Sequence, residues 1–201
     1  MDLDACLDIL KARQGCDHEE HAGHEATPCA VANVKQTLAH DLHLESCVPE
    51  DDDLQATSTR GLYDAFMRCQ SKRVEIYARF ETGFVELMFK DEFAVFSQEI
   101  TKHFAAVSAE INRIEATLRA RDATTLAALI RKVQIQEKEK LLLTSALLLE
   151  RMRSKQTRDD DVSASIYDTS IRSMEGTHTK IIEAINELLV EMQYEVAELD
   201  A

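Results

Sequence analysis

The chain is 201 residues long, and its 37 acidic side chains outnumber 23 basic ones, for a formal net charge of -14. Five Gly and two Pro exclude collagen-like, linker-like and loop-rich β architectures, and 45% hydrophobic residues in patterned segments exclude a wholly disordered chain. The charge is unevenly placed: residues 1–56 carry -10, residues 57–158 carry +5 and residues 159–201 carry -9. Polyanions repel a negative chain, so acidic ends that shield a mildly basic middle leave direct DNA binding weak or absent.

Residues 1–56 form an acidic appendage or a cap on the rest of the chain. Asp4 to Ala12 and Ala30 to Leu44 read as two short helices, and Val48 to Asp53 (VPEDDD) reads as a linker. The opening Met-Asp-Leu-Asp has no basic n-region, which speaks against a secretory signal or a transit peptide. Five cysteines without such a signal are expected to be reduced thiols. The expected setting is intracellular and soluble, nuclear or cytoplasmic.

Between the two short helices lies Cys16-Asp-His18-Glu-Glu-His21-Ala-Gly-His24, followed by Cys29. Thiolate and imidazole are the ligands zinc prefers, so Cys16, His18, His21, His24 and Cys29 are candidate metal ligands. Glu19, Glu20 and Glu25 would add oxygen donors. The spacing matches no Cys₂His₂ or CxxC arrangement, so a solvated polar loop is the leading reading and a zinc module the alternative. Cys6 with Cys47 and Cys16 with Cys29 would make an oxidised hairpin. Helical arms of unequal length put the outer pair about 12 Å out of register, beyond a disulfide's reach.

From Thr57 onward the apolar residues recur at three- and four-residue steps, which predicts helix. The first segment carries Leu62, Phe66, Cys69, Tyr77, Phe80, Phe84 and Leu87, and ends at Lys90-Asp91-Glu92. The second carries Phe93, Phe96, Ile100, Phe104, Val107, Ile111, Ile114 and Leu118, and breaks at Arg121-Asp122, with Asp122 as the expected N-cap of the third. That third segment runs from Leu126, Leu129, Ile130 and Val133 to Leu141, Leu148 and Met152. After Asp159-Asp160-Asp161 the fourth carries Tyr167, Ile171, Met174, His178, Ile181, Ile185, Leu188, Met192 and Leu199. Four such segments with short connections predict an all-α fold, an elongated antiparallel bundle or paired helical hairpins over residues 57–201. A two-stranded coiled coil is the alternative, although Phe-rich seams are bulky for it. A homodimer is compatible with either.

Chemistry-bearing motifs are few. No Gly-rich phosphate loop, nucleophile elbow, HExxH or paired CxxC occurs, and no Glu-x-x-His accompanies Glu187, Glu191, Glu195 and Glu198, which read as a charged helix face. His103 and His178 sit at or beside the seams and read as packed histidines. The longest near-apolar run, Leu141 to Leu149, is far too short for a membrane span. No enzyme and no cofactor are expected, zinc at the loop aside. The basic stretch from Arg119 to Arg158 is expected to pair with the acidic last segment across a hairpin rather than follow a phosphate backbone. No aromatic side chains are interleaved with it for base stacking.

Arg73, Tyr77, Phe80, Gly83 and Phe84 (RVEIYARFETGF), then Phe104, Ser108, Ile111, Ile114 and Leu118, then Ile135 to Thr144 (IQEKEKLLLT), resemble the Required-for-Excision B-type family over about residues 58–153. That resemblance implies a part in DNA excision repair, through contacts with other proteins such as repair or transcription machinery. It assigns no catalytic residues. The expected function is a non-enzymatic helical adaptor. A structural coiled-coil component of a cytoskeletal or axonemal assembly is the runner-up.

Overall fold

The computed structural model describes residues 51–156 and 161–199. Among the described residues five helices follow one another: α1 (Asp51–Ala56), α2 (Thr59–Leu87), α3 (Phe93–Ala120), α4 (Thr124–Gln156) and α5 (Asp161–Leu199). Among the described residues there is no strand. The expected all-α bundle is what forms, with α2, α3 and α4 as a three-helix unit and α5 laid along α4.

The seams explain the packing residue by residue. On α2, Leu62, Phe66, Cys69, Tyr77, Phe80 and Phe84 are buried, and on α3 so are Phe96, Ile100, Phe104, Val107, Ile111, Ile114 and Leu118. Leu126, Leu129, Ile130, Val133, Leu148 and Met152 of α4 join them, and α5 adds Ile181, Ile185, Met192 and Val196 in one continuous core. Each such aliphatic or aromatic side chain contributes up to about 1.5–3 kcal/mol on leaving water. The first half of α5 is shallower, since Tyr167, Ile171 and Met174 are only half-buried. Two polar contacts hold α4 and α5 in register there: His178 Nε2 meets Thr144 Oγ1 at 3.1 Å, and Arg151 pairs with Glu175 at 2.8 Å.

Gly83 sits mid-helix because α3 crosses it. A Cβ at that position would stand 2.2 Å from Cζ of Phe96, so only hydrogen fits under the ring. Phe84 packs edge-on against Phe80 and Phe93, with centroids at 5.9 and 5.4 Å. These rings close the end of the bundle beside the turn of residues 88–92.

The α3–α4 turn corrects the sequence expectation at Asp122. Its φ is 61°, in the left-handed region. Its N–H donates to Arg119 O at 3.2 Å, and Ala123 N–H donates to Leu118 O at 3.0 Å. That pair of bonds is a Schellman stop for α3. Asp122 therefore ends one helix rather than capping the next, and Ala123, whose carbonyl takes the Ala127 N–H at 3.1 Å, begins α4.

Residues 51–53 also differ from expectation. The acidic run opens helix α1 instead of continuing a linker. Leu54 is buried in the core, and the Arg121 guanidinium donates to the carbonyls of Leu54 (3.0 Å), Gln55 and Thr57. A cation on the last carbonyls of a short helix is favourable, so Arg121 ties α1 to the α3–α4 turn.

Candidate functional site

A charged residue on an apolar seam must find partners or stay at the surface. Arg73 lies four residues before Tyr77 and seven after Phe66, which places it on the buried face of α2, where it is 4% exposed. Glu137 lies four residues after Val133 on the inner face of α4 and is 7% exposed. The two face a cleft of about 340 Å³ between α2, α3 and α4.

Arg73 reaches three neutral oxygens: Ser108 Oγ at 3.2 Å, Gln134 Oε1, and Gln70 Oε1 at 3.5 Å. Burial pulls its pKa down, and the negative potential of Glu137 opposes that shift. Gln134 extends the chain of bonds by donating from Nε2 to Asn112 Oδ1 at 3.4 Å and to Ser108 O at 3.5 Å. Glu137 is held differently. Tyr77 Oη donates to its Oε2 at 3.2 Å, and Lys140 Nζ lies 3.5 Å from Oε1 and 4.0 Å above the Tyr77 ring. Burial raises the Tyr77 pKa, with the Glu137 charge adding to it. Phe104 closes the floor, edge-on to Tyr77 at 4.9 Å.

Arg131 and Lys138 stand exposed at the rim. Arg131 is engaged with Glu115, its Nη2 lying 2.8 Å from Oε2, and Arg119 shares the same carboxylate at 2.9 Å. The basic stretch therefore meets α5 at Arg151–Glu175 but also turns inward to α3 through Arg131. The cleft offers fixed hydrogen-bond donors and positive charge over a rigid floor. Such a surface suits recognition of an acceptor group.

A second hollow of about 290 Å³ lies between α2, α4 and α5, lined by Glu81, Thr144, Arg151, Glu175 and His178. Thr144 Oγ1 donates to Lys140 O at 2.8 Å, so it accepts from His178, which fixes the proton of that ring on Nε2. Burial first, and Lys140 next, lower the pKa of His178. His103 on α3 is buried, with its pKa lowered by burial. Both histidines are packed, as the seams imply.

Cys16, His18, His21, His24 and Cys29 lie outside the described residues, as do Cys6 and Cys47. Glu187, Glu191 and Glu198 face outward from α5, with Glu195 half-buried. Among the described residues no three His, Cys, Asp or Glu side chains gather as metal ligands, and no helix is long and apolar enough to cross a membrane. Sequence reasoning names Arg73 and Ser108 only as carriers of a resemblance, and Tyr77 as that and as a seam residue. It misses their joint burial with Gln134 and Glu137. The signal that would find them is a charge standing where the helical repeat demands an apolar residue.

Among curated proteins and solved structures nothing matches this chain. The family model DNA repair REX1-B matches residues 61–151, from the first turn of α2 nearly to the end of α4. The resemblance over about residues 58–153 is thus borne out: the segment that holds Arg73, Tyr77, Ser108 and Glu137 around one cleft is similar to a DNA-repair family.

Proposed function

We propose that the protein is a non-enzymatic helical adaptor in DNA excision repair, working in the nucleus through contacts with other proteins. One observation carries this reading. Arg73, Tyr77, Phe104, Ser108 and Glu137, all within the segment similar to a repair family, line one open donor-rich cleft. The two buried charges are held within the fold: Glu137 by Tyr77 and Lys140, and Arg73 by three neutral oxygens. Groups held this firmly build a docking floor, whereas a general acid or base must reach a substrate and exchange its proton.

The test has a cellular arm and a biochemical arm. Cells lacking the protein should survive ultraviolet damage poorly and recover on re-expression, while the purified chain should neither incise nor unwind damaged DNA. Normal survival without the protein would end the repair reading. Incision or unwinding by the purified chain would end the adaptor reading. A tagged protein found on filaments rather than in the nucleus would favour the strut alternative.

A further inference from the structure

We propose that the α2–α3–α4 cleft is a binding site for a single carboxylate on an acidic segment of a partner protein. The proposal rests on the adaptor reading and names the chemistry of its contact. It follows from the direction of the hydrogen bonds. A guanidinium can only donate, so Arg73 obliges Gln134 to turn Oε1 inward and its Nε2 outward. Gln134 Nε2 in turn meets Asn112 Oδ1 at 3.4 Å, which leaves the Asn112 Nδ2 protons without an acceptor among the described residues. Ser108 Oγ accepts from Arg73, so the hydroxyl proton is left to donate. A donor buried at the floor is thereby relayed outward, and each branch ends in an unspent N–H or O–H on the cleft wall.

Charge selects the ligand further. Arg73 has no carboxylate within ion-pair distance among the described residues, although a buried cation ordinarily has one. At the rim Arg131 is engaged by Glu115, and Glu137 by Tyr77 and Lys140. Lys138, exposed on the lip, pairs with no acid among the described residues. One uncommitted cation with neutral donors suits a monoanion better than a phosphate dianion. A cleft of about 340 Å³ takes one or two side chains rather than a nucleic-acid backbone. Tyr77 and Phe104 are buried beneath it and offer no face for a base to stack on. Placed here, a carboxylate would accept from Asn112 and Ser108 while lying near Lys138 and above Arg73.

The test is an NMR titration of the full-length ¹⁵N-labelled protein with a blocked hexapeptide of sequence GDELEG. The uncharged analogue GNQLQG, inorganic phosphate and a short DNA duplex serve as separate arms. The acidic peptide should move the side-chain amide signals of Asn112 and Gln134, and the analogue should not. Asn112→Asp exchanges the exposed donor for a carboxylate and should weaken binding about tenfold, and Lys138→Gln about threefold. Both positions are exposed, and unchanged amide spectra elsewhere will show that the fold is kept. Absence of shifts up to about 5 mM peptide, a limit corresponding to very weak affinity, would overturn the site. Equal shifts with both peptides, binding of phosphate or DNA but not peptide, or undiminished binding by Asn112→Asp would overturn it as well. The outcome is separable from the repair reading: a peptide that fails to bind while cells lacking the protein stay damage-sensitive removes the cleft alone.

Discussion

Two neighbouring stretches of α2 hold the bundle together by opposite means. Around Gly83, Phe80, Phe84, Phe93 and Phe96 meet by shape, and the approach is so close that a Cβ would overlap the Phe96 ring at 2.2 Å. Earlier on the same face of the same helix, Arg73 and Tyr77 reach α3 and α4 through polar contacts. The aromatic end derives its stability from apolar area and loses it when volume changes. The polar middle gains little net stability from each bond, because every bond replaces one to water. It gains fixed direction instead, and direction is what recognition needs. The first region thus serves stability, and the second is the one that the proposed adaptor role assigns to recognition.

The widest break between the two is Gly83→Leu. The side chain has nowhere to go without displacing Phe96, so stability should fall by roughly 3 kcal/mol, at the upper end of over-packing costs. Gly83→Ala should fall less, since the helix-propensity gain of about 1 kcal/mol offsets part of the clash. Urea denaturation measures both, and an unchanged midpoint for Gly83→Leu would show that the crossing is not close.

Tyr77→Phe is the matching probe of the polar middle. It removes the bond to the Glu137 carboxylate and keeps the edge-on contact with Phe104. The expected loss is about 1.5–3 kcal/mol, the usual range for a hydrogen bond to a charged group. A variant as stable as the parent in chemical denaturation would mean that water or Lys140 satisfies Glu137 fully.

Asp122→Gly should act in the other direction. Asp122 holds a φ of 61° at the Schellman stop, where Gly carries no Cβ penalty. Offset by the entropy of a freer unfolded chain, the gain should be about 0.5 kcal/mol. A lowered melting temperature would show that the Asp122 carboxylate makes a contribution larger than the backbone strain.

The smallest effect is a pH dependence. Burial lowers the pKa of His103, which faces Glu99 and Lys102 on its own helix and Arg79 on α2. It lowers that of His178 too, which faces Lys140, Glu137 and Arg151 on α4 and Glu81 on α2. Below about pH 6.5 the unfolded chain takes up these protons first. Stability is therefore full above that pH and declines as pH falls toward the lower folded-state values. Replacing both histidines with Gln should flatten this segment of the stability–pH curve, and an unaltered slope would assign it to carboxylates.

How far the sequence reveals the molecule differs between the same two regions. The aromatic end is legible because Phe80, Phe84, Phe96 and Ile100 obey the helical repeat, and burial follows hydrophobicity there. Gly83 is legible as a close crossing, though Phe96 is not legible as its partner, since the repeat fixes faces and not which ring meets which. The polar middle is hidden from periodicity. Arg73 and Glu137 occupy seam positions, but a charge is ordinarily placed at the surface. Their burial is decided by partners 35 to 61 residues away, such as Ser108, Gln134 and Tyr77. Asp122 misleads because Asp suits both an N-cap and a left-handed stop, and only the two backbone bonds to Arg119 and Leu118 distinguish them.

The division of labour between the two regions is tested most directly by rescue of damage survival. Cells lacking the protein would be given Asn112→Asp together with Lys138→Gln, two changes at exposed positions on the cleft that spare the aromatic end. The expected outcome is a protein of parental melting temperature and cellular level that fails to restore survival after ultraviolet damage. Full rescue by that variant would contradict a functional role for the cleft.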